Sequence, residues 1–380
     1  MRRALVAVAL LAALAGPVQA SSGSSVQNAD PPALAAAAWY LVGEDGAVLA
    51  QESSRRSRAI ASITKLMTAI VALEEARPSA VIQVRSQAAG VGGSTVYLRA
   101  GDELSVGELV RAMLIPSAND AATALALHVG NGSTARFVSL MNAKARELGL
   151  VDTTFVNPHG LDEPGHVSSA RDATLLVRYA LRVPSIRAAL EQSSFSLPGG
   201  QEFPTTDDLL VSWPPLLGGK TGHTLGAGWS ETAAASRRGA TVYGTVLGAD
   251  SREGRNDALR TLLEFGLGRY QRVAVIDASR VYGEAETEYG QTRVALVASR
   301  TLLRTVRNGV PLLERAVLPT MVRLPVREGE RLGRVEVWEG DRLVASSNLV
   351  AANPVSEPGK LGKAAWFAER TAENLWKLVT

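Results

Sequence analysis

The chain of 380 residues has no cysteine and only four histidines. Disulfides, thiolate metal sites and a cysteine nucleophile are therefore excluded. His159 and His166 stand seven apart and no His-x-x-x-His occurs, so a zinc hydrolase lacks its ligand pattern and no metal is expected. Aromatic residues make up 5% of the chain, and no arginine stripe with interleaved aromatics is visible. No nucleic-acid partner is expected. A surplus of one charge is also missing. Lys and Arg number 40 against 37 Asp and Glu.

What is present reads first at the ends. Arg2 and Arg3 precede an apolar run from Ala4 to Ala15, and small residues surround Val18-Gln19-Ala20. A basic start, a short apolar stretch too short to span a bilayer and a small-residue cleavage site predict a signal peptide over 1–20 and export. Its removal leaves 38 basic against 37 acidic residues, a net of +1. Residues 21–33 are polar and proline-bearing, a flexible lead-in. The hydrophobic fraction is 46% and the charged fraction 20%, enough to build sizeable cores at a length that suggests two or three domains.

Between the ends, WYLV and AVLA flank Glu44-Asp45-Gly46, a pattern for two strands around a turn. Apolar Ile63, Leu66, Met67, Ile70 and Leu73 fall at helical spacing within Ser62 to Ala76. Residues 105–128 and 134–148 also read as helical, the second stopped by Gly149. Leu216–Gly222 and Thr241–Gly248 look like strands, and Asn256 to Phe265 like a closing helix. Beyond Tyr270 short alternating runs such as RVALVA and RVEVW separate turn signals. They predict a small all-β domain at 272–355. On a helical wheel of Ala364 to Thr380, Phe367, Ala368, Ala372, Leu375, Trp376, Leu378 and Val379 share one face, while Glu369, Arg370, Glu373 and Lys377 share the other. That segment, taken as 362–380, is expected to lie on a membrane surface, with Trp376 at headgroup level; an ordinary helix packed on the β domain is the alternative.

Three short signals carry chemistry. In Ser62-Ile63-Thr64-Lys65 the serine and lysine lie about one helical turn apart on one face. A lysine can take the serine proton only when neutral, which burial, a second cation or a helix N-terminus would favour. About one Ser-x-x-Lys is expected by chance in such a chain. In Ser117-Ala118-Asn119 an extended backbone would aim a hydroxyl and an amide the same way, although Asn is also a common helix cap. Lys220-Thr221-Gly222-His223 offers a cation and a hydroxyl for an anionic group, and a glycine that lets a substrate backbone approach. Strict alternation would send Lys220 and Thr221 to opposite faces, so twist or a bulge has to bring both to a cleft. A phosphate loop is rejected, because Pro214 stands where its first glycine belongs.

The three signals in this order are the signature of active-site-serine penicillin-recognising enzymes. With ASITKLMTA (61–69), LRAGDELSVGELVRAMLIPSANDAA (98–122), NPHGLDEPGHVSSARD (157–172) and KTGHTLGAGW (220–229), the chain resembles the low-molecular-mass penicillin-binding proteins that act as D-alanyl-D-alanine carboxypeptidases. The likeness covers nearly the whole length. It implies an α+β fold of the penicillin-binding-protein and β-lactamase type at 34–270, with an antiparallel sheet flanked by helices and an all-helical subdomain. It also implies a serine peptidase without cofactor that trims the terminal D-alanine of peptidoglycan stem peptides, takes β-lactams as covalent inhibitors and sits on the periplasmic face of the inner membrane.

Residue by residue, the resemblance makes Ser62 the nucleophile, Lys65 its base, Ser117 a proton relay and Asn119 a holder of substrate or of Lys65. Lys220, Thr221 and Gly222 would bind substrate, and backbone N–H groups of Ser62 and His223 would form the oxyanion hole. Arg255 resembles an arginine that binds the substrate carboxylate; a solvated arginine at a helix start is the alternative. Asp162 reads as structural support. A class A β-lactamase would need a loop glutamate, and Glu163 stands in an unlike context. A D,D-endopeptidase is closer in chemistry but generally lacks the β domain and terminal helix. A catalytically silent binding protein would keep the same fold.

Overall fold

A computed structural model describes residues 30–290 and 292–379. The signal-peptide reading lies outside the described residues. The chain divides into two compact units, one ending at Arg269 and the other beginning at Tyr270.

The first unit is built on a five-stranded antiparallel sheet. Its strands are β1 (Ala38–Gly43), β2 (Val48–Glu52), β3 (Leu216–Thr224), β4 (Gly228–Arg237) and β5 (Ala240–Ala249), in spatial order β2-β1-β5-β4-β3. Strand β4 has little sequence signal of its own. Its GWSETAAASR is rich in small residues of low strand propensity, and burial between two helical layers is what makes it a strand.

The longer helices are α1 (Lys65–Glu75), α2 (Val106–Leu114), α3 (Asn119–Val129), α4 (Thr134–Glu147), α5 (Ala170–Ala180) and α6 (Arg252–Leu267), with short ones at Ser86–Ala89, Pro184–Leu190 and Asp208–Ser212. Period-two alternation sends successive sheet residues to opposite layers. Thr232 and Thr245 bond each other, and Thr245 accepts from Thr174 of α5. The alternate positions meet α6, where a methyl on Gly266 would lie 3.2 Å from Val242 and 2.9 Å from Leu41. Helix α1 is buried at every position from Lys65 to Ala72, the mark of a helix enclosed on all sides.

The helical run read as 105–128 is two helices. Ser105 caps α2 through a capping box with Glu108, and the chain breaks at Pro116 before α3. Helix α4 ends at Gly149, whose φ of +68° is the left-handed conformation a C′ glycine supplies.

The second unit pairs Leu312–Val317, Arg331–Glu339, Arg342–Ala351, Val294–Ala298, Val281–Thr287 and Met321–Val322 in one six-stranded sheet. A ribbon of Tyr270–Ile276 and Leu302–Arg307 accompanies it. Ile276, Ala285, Leu296, Val335 and Leu349 form its core. Helix α7 (Lys360–Val379) starts before the expected Ala364. No helix among the described residues is long and apolar enough to cross a membrane.

Candidate active site

Ser62 lies in a 3-10 turn, Ala61–Thr64, that runs directly into α1. The last turn of sequence before the α-helix is thus tighter than the helix expected from Ser62 onward. Lys65, the first α-helical residue, is completely buried. Its Nζ lies 2.6 Å from Ser62 Oγ and 3.4 Å from Ser117 Oγ. Burial, and then the nearby Lys220 cation, hold the Lys65 ammonium well below its usual range, against a smaller opposing pull from Asp120.

Ser117 reaches this point by a route the sequence does not show. It is not extended: its φ is +67°, and Ala61 beside Ser62 is also left-handed at +46°. Non-glycine residues in that region store strain of about 1–2 kcal/mol each, and such strain clusters at functional sites. Asn119 opens α3 and donates through Nδ2 to Gly92 O at 2.7 Å. Its own N–H meets Ser94 O at 2.7 Å. The loop after Gly90 is therefore tied across the site. Asp120 completes the tie by accepting from Val96 N, Leu98 N and Ala121 N. Sequence reasoning passes over Asp120, since an acid in the first turn of a helix reads as an ordinary dipole partner.

Lys220 and Thr221 lie on β3, the sheet edge. No bulge separates them. The register with β4 runs unbroken from Gly218 to Thr224 and shifts only between Leu216 and Gly218. Lys220 pairs with Thr232, on the α5 side, and Thr221 with Glu231, on the α6 side. Lys220 is buried and donates to Thr221 O at 3.0 Å. Burial pulls its pKa down to about 7, and Arg255 pulls the same way, against Asp207 and Glu231. Thr221 Oγ1 meets Thr206 Oγ1 at 2.7 Å.

Gly222 has a packing reason as well as the expected one. A methyl there would sit 2.7 Å from Ile60 O and 3.1 Å from Ser62 N. The His223 ring stacks on Trp229 at 3.9 Å. Asp162 accepts from Thr224 Oγ1 at 2.6 Å and Gly226 N at 2.9 Å, and so clamps the turn that follows β3. Gly160, at φ +88°, lets its segment press on the Ala61 carbonyl.

Arg255 is neither solvated nor at the rim. It is 1% exposed, with Glu231 Oε2 2.9 Å from Nε, Asp208 Oδ2 3.2 Å from Nη2, and Asn256 Oδ1 accepting from both nitrogens. Its guanidinium also lies 5.8 Å from the Trp229 ring centre. Glu231 and Asp207, which meet in this cluster, also escape a reading of the sequence. A lone acid in the small, apolar run of β4 is the available signal for Glu231.

The sequence model of the D-alanyl-D-alanine carboxypeptidase family matches residues 25–251. The chain belongs to that family. The D-alanyl-D-alanine carboxypeptidase DacD of Salmonella typhimurium is 30% identical over 98% of this chain and 99% of its own length. The family member DacF of Bacillus subtilis is 28% identical over 86% of the chain and 87% of its own length. Among solved structures, penicillin binding protein 5 of Haemophilus influenzae is similar with a TM-score of 0.64 and 27% identity, covering 87% of this chain and all of that one. Penicillin binding protein 6B of Escherichia coli gives 0.63 and 28%, over 85% and 97%. These likenesses span both units, beyond the one that contains Ser62.

Proposed function

We propose that this chain is a serine-type D-alanyl-D-alanine carboxypeptidase acting on peptidoglycan stem peptides. The observation that carries the reading is Lys65 Nζ, fully buried and 2.6 Å from Ser62 Oγ with Ser117 Oγ 3.4 Å away. Ser62 Oγ attacks the carbonyl between the last two D-alanines, and neutral Lys65 takes its proton. Backbone N–H groups of Ser62 and His223 hold the oxyanion. As the C–N bond breaks, the proton passes from Lys65 through Ser117 to the departing amine. Water then cleaves the acyl-serine ester and returns the Ser62 proton. Asn119 holds the loop and substrate against α3, while Lys220 and Thr221, from opposite sides of the edge strand β3, receive the substrate carboxylate at that edge beside Gly222. Arg255 serves that carboxylate from behind, because its guanidinium is already held by Glu231 and Asp208.

A β-lactam acylates the same serine but keeps its leaving group tethered, so it blocks the water step. Glu163, the one loop acid that a β-lactamase reading could use, is engaged by Asn157 Nδ2 at 3.1 Å. We place the protein on the periplasmic face of the inner membrane, with α7 as a peripheral anchor. Leu361, Phe367 and Trp376 are 89%, 57% and 72% exposed on it, which supports that reading. Trp366 packs edge-on against Tyr289 at 5.5 Å, so the start of α7 also rests on the β-rich unit. The domain limits that go with this function are 34–270 for the peptidase, 272–355 for the β-rich part and 362–380 for the anchor.

The test is intact mass against time after adding benzylpenicillin, with Ser62→Ala as control. A long-lived adduct on the wild type alone supports a penicillin-sensitive peptidase. An adduct that vanishes within seconds supports a β-lactamase, and none at all supports a silent binding protein.

A further inference from the structure

Behind β3 lies a carboxyl pair that the catalytic sequence leaves unused. Asp207 caps the short helix Asp208–Ser212 with Oδ1, which accepts Leu210 N at 3.0 Å. Its Oδ2 is buried with no donor. Glu231 stands in mid-β4 opposite Thr221, fully buried, and neither carboxylate oxygen has an aligned donor. Arg255 Nε is 2.9 Å from Glu231 Oε2 but gives its hydrogen to Asn256 Oδ1 at 3.1 Å. Thr206, which precedes Asp207, meets Thr221, the register partner of Glu231, through Oγ1 atoms 2.7 Å apart, and this approach brings the two carboxyls near enough to act on each other.

Two acceptors can bond each other only through a proton. Two ionised carboxylates in contact would instead repel by about 4 kcal/mol near a protein surface, and by more inside. Burial raises both groups, Glu231 well above the usual range, and the Asp207 charge raises Glu231 further. We infer that Asp207 and Glu231 share a single proton, and that this pair is a positioning element. It holds Arg255 in place and leaves the surroundings of Lys220 and Arg255, which approach from the two sides of β3, one charge positive.

The charge count follows from every group that faces the pair. Lys220 comes from β3 and Arg255 from α6. Asp208 also touches Arg255, and its charge is matched by Arg252 at 2.5 Å. With one proton, and with Lys220 protonated, the pair carries one negative charge against two cations, leaving a positive seat for an anionic substrate end. Without the proton the seat is neutral. That the anion is a peptide carboxylate rests on the peptidase reading; the shared proton does not.

The experiment compares the full chain with Glu231→Gln and Glu231→Leu. Difference infrared spectra at neutral pH should show a protonated carboxyl C=O band in the wild type that Glu231→Gln removes. Because the fold binds the Glu231 proton more tightly than the unfolded chain does, wild-type stability should fall relative to Glu231→Gln as pH rises from about 5 to about 9. With a D-Ala-D-Ala peptide, Glu231→Leu should raise KM about ten- to a hundredfold, by letting Arg255 shift, with a smaller change in kcat. Gln, which keeps a donor to Asp207 and adds no charge, should restore most of that loss.

Absence of the band in the wild type, or equal damage from Gln and Leu, overturns the proposal. Should Glu231→Leu fail to fold, the infrared band and the melting curves still decide. A wild type that shows the band yet cleaves no peptide would sink the peptidase reading and leave the shared proton standing.

Discussion

Gly222 and Ser62 lie backbone against backbone. A methyl on Gly222 would come within 3.1 Å of Ser62 N and 2.7 Å of Ile60 O, closer than side-chain carbons normally approach backbone. The sheet edge is thereby locked to the turn that carries the proposed nucleophile. Across this contact lie the N–H groups of Ser62 and His223, the proposed oxyanion donors.

Gly222→Ala should therefore slow acylation by benzylpenicillin about ten- to a hundredfold, because a shift near 1 Å at the turn is enough to misplace the oxyanion donors. The melting temperature should fall as well, because the atoms met are backbone and cannot swing aside. Gly160→Ala should cost more still. Its Cβ would lie 1.9 Å from Ala61 O at a φ of +88°, so a loss of about 3 kcal/mol or more in urea unfolding is expected.

The two lysines should give acylation and peptide turnover a bell-shaped pH profile. The low limb comes from Lys65, which must be neutral to take the Ser62 proton, and benzylpenicillin acylation should drop as pH is lowered. A rate independent of pH from about 5 to about 9 would contradict this. The high limb comes from Lys220, whose proton leaves near pH 7 and takes with it attraction for the substrate carboxylate. It should appear as a rising peptide KM.

Lys65 also loads the fold. Its folded pKa lies well below the ordinary 10.5, so the unfolded chain binds the proton more tightly. Stability is therefore lost as pH falls from the ordinary lysine value toward the folded one. Lys65→Met should melt a few degrees higher than wild type at neutral pH and be inactive. Its advantage should shrink as the melts are repeated toward pH 10.5.

Asp120→Ala leaves the N–H groups of Val96, Leu98 and Ala121 without their acceptor. Each buried orphan is worth about 1–3 kcal/mol, so chemical denaturation should show a loss of about 3 kcal/mol or more. Acylation should slow as well, because the loop that receives Asn119 Nδ2 through Gly92 O is released.

Deleting residues 362–380 should abolish binding to anionic vesicles in a flotation assay and leave benzylpenicillin acylation unchanged. Unaltered vesicle binding would contradict the anchor, and with it the surface role of Phe367 and Trp376.

Ser62, Lys65, Ser117, Asn119, Lys220 and Thr221 were legible as candidates from local spacing and short motifs, which record residue types that the proposed reaction needs. The sequence by itself also determined the separate β-rich region, through its alternating runs. Only the tertiary structure decided how these residues meet. The left-handed turn at Ser117, the strand formed by the small residues of β4 and the close seat of Gly222 on Ser62 all depend on neighbours far away in the chain. The same holds for Arg255, Asp207 and Glu231. A charged side chain looks solvated in sequence, and it becomes a buried cluster only when α6, β4 and the Asp207 loop close around it and remove the water that would otherwise screen it.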